Sequence, residues 1–355
     1  EQVKQVANTV KQLGMKAAYR KVMNKLDSLS PLGYSCTGKV VEVGENVRGI
    51  TVGDIVACGG AGYANHAEVN YIPQNLCAKV PFGVDNREAS LTTIASIALQ
   101  GFRQAEVNIG ENIAIIGLGL LGQILVQLIN ANGCRAFGSD LDASKVALAN
   151  NQGAHFATVP DKVDYSEEIA SLTNGYGCDA VIITTGASSN DPIITAGKIA
   201  RDRGKIVDIG ITKMDLPWDL YYHKELDFRF SRSYGPGRYD PSYEESGNDY
   251  PIGYVRWTEQ RNMESVLQLL KDGMIDFKKL ITHEVDLAGA EKLFDNIKGD
   301  EENFLGVIIE YDGLVDTNMR IVKSANTTSA DRKLTLGGIG AGNYASTMLY
   351  PFLNN

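Results

Sequence analysis

None of the five cysteines, Cys36, Cys58, Cys77, Cys134 and Cys178, stands in a Cys-x-x-Cys pair, and their number is odd. That excludes the pattern of a disulfide scaffold or a cysteine-rich zinc lobe, and it fits a reducing, cytoplasmic setting. Long apolar runs are missing as well. The longest, Ile113 to Leu121, is too short to span a bilayer, so no membrane is expected. No signal peptide is visible, although the chain begins at Glu1 rather than a methionine, which weakens that absence. Positive charge is in deficit, with 34 Lys and Arg against 43 Asp and Glu for a formal charge of −9. Neither a nucleic acid nor an anionic surface is therefore an expected partner. Histidine is scarce too: His66 and His283 each stand alone in a β-like segment with no spaced partner, and read as structural.

What the sequence does have is apolar content, 44 % of 355 residues, enough to bury the cores of two domains. Residues 1–30 repeat apolar positions at helical spacing, Val3, Val6, Val10, Leu13 and then Val22, Leu26 and Leu29, and read as amphipathic helix. From Gly33 to Pro81 the pattern turns to short β-type runs, GKVVEVG, GDIVAC and HAEVNYI, which predict a small antiparallel barrel or sheet. After Arg87 a helical run leads to IAII, and strands then alternate with helices through CRAFGS, DAVIITT, a helix from about Pro192 and GKIVDIGI. Such alternation implies a parallel, doubly wound α/β sheet. Residues 232–261 break it with a loop too long and aromatic for a simple connection. Helix returns at Met263–Leu270, followed by a β-like stretch to Tyr311.

The most informative segment is the turn Gly117-L-Gly119-LL-Gly122 between IAII and an apolar helix. The first glycine permits the tight turn, the second lets the backbone approach a pyrophosphate, and the third lets helix pack closely on strand. The helix N-terminus, at Leu120 and Leu121, offers free amides to the anion. The second strand ends at Asp140, near the offset of a ribose-binding acid. A carboxylate there accepts hydrogen bonds from both ribose hydroxyls of NAD, whereas the 2′-phosphate of NADP would set like charges together. Lys145 reaches the ribose from the following helix or is an ordinary solvated lysine. Thr184, Thr185 and Gly186 end one strand and Gly210 another, at the carboxyl edge of the sheet where the cofactor lies.

Taken together, the runs PLGY…GKVVEVGENVRGITVGDIVA, GLGLLG, DLDASKVALANNQGAHFA, GKIVDIG and HKELDF resemble the medium-chain dehydrogenase/reductase superfamily over about residues 31–312. The resemblance implies a GroES-like barrel (31–86 and 265–312) beside a Rossmann domain (87–264), nicotinamide in the cleft between them, and a homo-oligomer. Zinc-dependent members carry His-Glu where this chain has Tyr34-Ser35, and a cysteine where it has Ser96; the structural zinc lobe after GDIVA is missing. Hydroxyls are poor zinc ligands, so no metal is expected; the region of the family's first ligand is absent from this chain. More narrowly, SYGPGRYDPSYEE and DYPIGYVRWTEQRN are similar to a bacterial two-part oxidoreductase, whose zinc-less medium-chain domain precedes a second dehydrogenase domain. After a linker (313–332), residues 333–355 resemble the opening of the glucose-fructose oxidoreductase and inositol dehydrogenase (Gfo/Idh/MocA) type, with Gly340-A-Gly342-NY-Ala345 as its phosphate turn.

The resemblance implies an NAD-dependent oxidoreductase acting on the carbinol carbon of a polar, sugar-like small molecule, in proteins associated with surface-polysaccharide synthesis. Without zinc, a side chain or water must take the hydroxyl proton. Tyr34 is the candidate by position, or it packs in the barrel wall; Ser35 and Ser96 relay a proton or satisfy backbone groups. Tyr234, Arg238, Tyr239 and Trp257 either line a substrate entrance or build a subunit interface. Two other readings stand beside the enzyme: a non-catalytic NAD-binding sensor or scaffold, and a zinc-less quinone or enoyl reductase, which Asp140 opposes because such enzymes prefer NADPH.

Overall fold

The first structural element is a small three-stranded antiparallel sheet, β1 (Ser35–Lys39), β2 (Ile55–Gly59) and β3 (Cys77–Lys79), in that order. A computed structural model describes residues 31–160, 164–299 and 304–313. The expectations for the helical segment 1–30 and for everything from 314 onward, the fused second domain included, lie outside the described residues. HAEVNYI, expected as a strand, is a loop. Its side chains offer the backbone a local alternative: Asn70 donates through Nδ2 to Asn65 O (3.0 Å) and accepts through Oδ1 from Asn65 N (3.2 Å).

Asp85 caps the short α1 (Asn86–Ala89), accepting from Arg87 N at 2.9 Å. In α2 (Thr92–Gln104) the buried Ala95, Ala98, Leu99 and Phe102 recur at helical spacing, and the helix lies against the large sheet. That sheet alternates with helices as the sequence predicts: β4 (Asn112–Ile116), α3 (Leu120–Ala131), β5 (Arg135–Ser139), α4 (Ala143–Asn151), β6 (Phe156–Thr158), α5 (Tyr165–Leu172), β7 (Cys178–Ile183), α6 (Asp191–Ile199), β8 (Ala200–Asp208), α7 (Trp218–His223) and β9 (Asp227–Phe230). Every pairing is parallel and the strand order is β6-β5-β4-β7-β8-β9. The order reverses between β4 and β7, so a crevice opens beyond their carboxyl ends. Ala114, Ile115, Val181, Ile182, Ile206 and Val207 are buried between helices on both faces, which is why these strands read as unbroken apolar runs.

The long loop after β9 contains α8 (Pro241–Glu244) and leads into α9 (Glu259–Lys271), capped by Thr258. The stretch expected to be β-like up to Tyr311 holds a helix: β10 (Ile281–Asp286), α10 (Leu287–Gly299) and β11 (Gly306–Glu310). The two strands pair in parallel, and a parallel pair needs a crossover, which the helix supplies. Among the described residues no helix is long and apolar enough to cross a membrane.

Candidate functional site

At the end of β4 the chain turns through Gly117, whose φ is +99°. A Cβ there would stand 3.0 Å from Thr184 Oγ1 and Thr185 N, so a side chain would be both strained and crowded. Thr184 holds the turn by donating from Oγ1 to Gly117 O at 2.7 Å. Gly122 is packed harder: a Cβ would fall 2.1 Å from Gly117 O. At Gly119 nothing lies within 4 Å of a built Cβ, which leaves the approach to the helix open. No side chain caps the N-terminus of α3, and the first-turn amides, Leu120 and Leu121 among them, have no intrahelical partner. They are free for an anion. Gln123, missed in the sequence, is fully buried and braces the turn, donating through Nε2 to Leu118 O (2.9 Å) and Lys145 O (2.8 Å).

Asp140 stands just past β5 with its carboxylate fixed from both sides. Oδ2 accepts from Leu118 N at 2.7 Å and Oδ1 from Asp142 N at 2.9 Å. Each oxygen keeps a second lone pair, so the fork still has two acceptor positions for a diol. Lys145 Nζ lies 3.7 Å from Asp142 Oδ2 and is partly exposed. The far wall is built by Thr185, Gly186 and Gly210: Gly186 bridges Ile211, and a Cβ on Gly210 would meet Thr185 O at 2.1 Å. Asp208 was also missed. It is buried at the end of β8, accepts from Gly210 N (3.0 Å) and Thr212 Oγ1 (2.8 Å), and burial raises its carboxyl above the usual range. Its signal was a lone acid closing the apolar run GKIVDIG.

On the small sheet Tyr34 precedes β1, its carbonyl accepting from Gly60 N at 3.0 Å. The residue is 44 % exposed, and partial burial raises its phenol above the ordinary value. Ser35 Oγ donates to Ser90 O at 2.6 Å, and Ser96 Oγ, fully buried, to Thr92 O at 2.8 Å. Both hydroxyl protons are thus committed to backbone carbonyls. His66, expected in a β segment, lies in the loop with its ring 3.0 Å from the place of a Gly33 Cβ, and burial lowers its pKa. It is therefore a neutral imidazole beside the Gly33-Tyr34 backbone. Among the described residues no three His, Cys, Asp or Glu side chains are placed to hold a metal ion.

Tyr234, expected at an entrance, is 3 % exposed and holds Asn262 Nδ2 on its carbonyl at 2.9 Å. Arg238 is spoken for: NH1 lies 2.5 Å from Glu244 Oε1, and the guanidinium rests 4.0 Å from the centre of the Tyr239 ring. Tyr239 is exposed and also meets Arg232 at 3.8 Å, while Trp257 is flanked by Arg103 (3.5 Å) and Arg256 (3.8 Å). Of the four expected substrate residues, Tyr239 alone presents an exposed ring. Beneath them lies Glu259, fully buried, with neither carboxylate oxygen hydrogen-bonded. Burial, and then the carboxylate of Glu244, push it up to about 8. A carboxyl whose pKa is raised on folding costs stability as pH climbs from its unfolded value, about 4.3, to its folded one. Glu259→Gln should therefore match the wild type near pH 4 and exceed it by about 5 kcal/mol above pH 8. Urea unfolding at both pH values checks this; a constant difference would show that Glu259 does not titrate within that window.

A family model described as zinc-binding dehydrogenase matches residues 121–245. The match runs from α3 through α8 and includes none of Tyr34, Ser35 and Ser96. D-guloside 3-dehydrogenase of Shigella flexneri is 28 % identical over 264 residues, covering 74 % of this chain and 72 % of that protein. Sorbitol dehydrogenase of Halalkalibacterium halodurans is 24 % identical over 303 residues, covering 76 % and 80 %. Among solved structures, an alcohol dehydrogenase from Thermus sp. ATN1 superposes with a TM-score of 0.65 at 19 % identity, covering 79 % of this chain and 84 % of that one. That likeness is one of fold: an α/β Rossmann sheet joined to a GroES-like domain.

Proposed function

We propose, on the premise that this chain belongs to the medium-chain dehydrogenase/reductase family, that it is an NAD-dependent oxidoreductase acting on the carbinol carbon of a polar, sugar-like alcohol without catalytic zinc. The observation that carries the cofactor reading is the fixed Asp140 fork beside the uncapped N-terminus of α3. When bound there, NAD would supply the hydride acceptor for the carbinol carbon or, reduced, the hydride donor. The first-turn amides of α3 would hold its pyrophosphate, and Asp140 would orient its ribose. The sugar-like substrate is supported by the relatives, a guloside and a sorbitol dehydrogenase.

Tyr34, Ser35 and Ser96 do not fit a catalytic zinc, because neutral hydroxyls are weak zinc donors beside thiolate, imidazole or carboxylate, and burial raises the phenol. The substrate proton then passes through Tyr34 Oη. A raised phenol is a donor in the reduction direction, and in oxidation the positive charge of a bound nicotinamide ring would bring it down. Ser35 orients the strand rather than relaying a proton.

NAD should bind at least about tenfold tighter than NADP, about 1.4 kcal/mol, by calorimetry. Asp140→Ala should narrow the gap by admitting NADP. It should also cost about 1–3 kcal/mol of stability, because two backbone amides lose their acceptor. Equal affinities in the wild type would reject the role of Asp140.

A further inference from the structure

The proposed reaction makes no use of three thiols that lie in one row across the small sheet. Cys36 on β1 stands opposite Cys58 on β2, and Cys58 opposite Cys77 on β3. Val80 N donates to Ile55 O, and counting along the ladder from that hydrogen-bonded pair makes Cys58 and Cys77 a non-hydrogen-bonded pair. In such pairs the Cα atoms are about 4.5 Å apart and the side chains approach most closely. The two sulfurs are 3.8 Å apart, and a Cα separation of that kind is one a disulfide spans. Cys58 and Cys77 are buried, whereas Cys36, at the near end of the row, is half-buried. It is the thiol of the three that a small oxidant meets first.

We infer that this row is a hydroperoxide-responsive modification site, in which Cys36 takes the oxidant and the oxidation is stored as a Cys58–Cys77 disulfide. In the first step the Cys36 thiolate attacks a peroxide oxygen and the O–O bond breaks. Water or an alcohol leaves, and Cys36 becomes a sulfenic acid. Cys58 then attacks the Cys36 sulfur, the S–O bond breaks, water leaves and a Cys36–Cys58 bond forms. Cys77 attacks the Cys58 sulfur, forming the Cys58–Cys77 bond and returning Cys36 as a thiol. Two thiols and one hydroperoxide thus give one disulfide, one alcohol and one water, or two waters when the oxidant is hydrogen peroxide. The side-chain environment favours the first and last steps, since the hydrogen bond with Cys58 lowers the Cys36 thiol, which makes it the readier thiolate towards the oxidant and the better leaving group in the exchange.

The test treats the full chain with hydrogen peroxide and maps it with trypsin, which leaves Cys58 and Cys77 together in peptide 49–79 and Cys36 in peptide 26–39. Peptide 49–79 should become lighter by two hydrogens, free thiols should fall from five to three, and dithiothreitol should restore them. Cys36→Ser should slow the change at least tenfold. Cys77→Ser should stop the exchange one step earlier, leaving peptides 26–39 and 49–79 joined through Cys36 and Cys58. Peptide 49–79 unchanged, sulfinic acid accumulating on Cys36 with no link, or a Cys36→Ser rate equal to the wild type would each overturn the inference. The Cys77→Ser arm decides the matter by itself should Cys36→Ser fail to fold.

Discussion

Tyr34→Phe should abolish most turnover while leaving NAD affinity and the melting temperature where they were. The substitution removes one hydroxyl and keeps the ring, and the residue is 44 % exposed, so there is little packing to lose. Loss of acid–base help costs about 10²–10⁴ in rate. The raised phenol adds a directional expectation: with Tyr34 as the proton donor, reduction should persist to higher pH than a histidine-driven reaction would allow, because the donor stays protonated. A Tyr34→Phe variant that keeps most of its turnover would make Tyr34 a wall residue and send the proton elsewhere. His66, neutral and against the Gly33 backbone, would be the next group to test.

The second large effect belongs to the glycine turn, where two substitutions of the same size should behave differently. In Gly122→Ala the new methyl would stand 2.1 Å from Gly117 O, and the obstacle is backbone, which cannot swing aside. Strand β4 and helix α3 must separate, at a cost of about 2 kcal/mol or more in stability, and the first-turn amides move off their aim. NAD affinity should fall at least about a hundredfold, about 2.7 kcal/mol. Gly119→Ala, by contrast, adds a methyl into open space at an ordinary backbone angle. The fold should tolerate it, and NAD alone should bind more weakly, because the methyl lies on the route of the pyrophosphate. A Gly122→Ala protein that melts and binds like the wild type would mean that this turn does not carry the cofactor.

Local rules made the Rossmann half legible. Gly117 and Gly122 announce a turn because their spacing reflects two separate close approaches, and Asp140 follows at the end of the next strand because the βαβ unit has a fixed size. The apolar runs IAII and DAVIITT name their own elements, being buried on both faces. Long-range contacts hid the rest. HAEVNYI alternates like a strand, but Asn70 ties its backbone to Asn65 instead. Leu287, Ala290, Leu293 and Phe294 carried a helical spacing that the β-rich flanks obscured, and the helix becomes necessary only once β10 and β11 are known to be parallel. Tyr234 and Arg238 looked like a substrate entrance because aromatic and arginine side chains are at home in one. Their burial depends on Asn262 and Glu244, which the chain brings to them only on folding. Gln123, Asp208 and Glu259 are single polar residues inside apolar or charged runs, and nothing in their neighbours' spacing marks them.

The most direct measurement is the absorbance of NADH when chelator-treated protein of known zinc content is given NAD and a panel of glycosides and sugar alcohols. The expected result is a substrate-dependent rise in protein holding less than stoichiometric zinc, unchanged by the chelator. One zinc per chain, with turnover lost on its removal and regained on its return, would contradict a zinc-less mechanism. NAD that binds at the Asp140 site and is never reduced by any member of the panel would make the chain a cofactor-binding module instead of an enzyme.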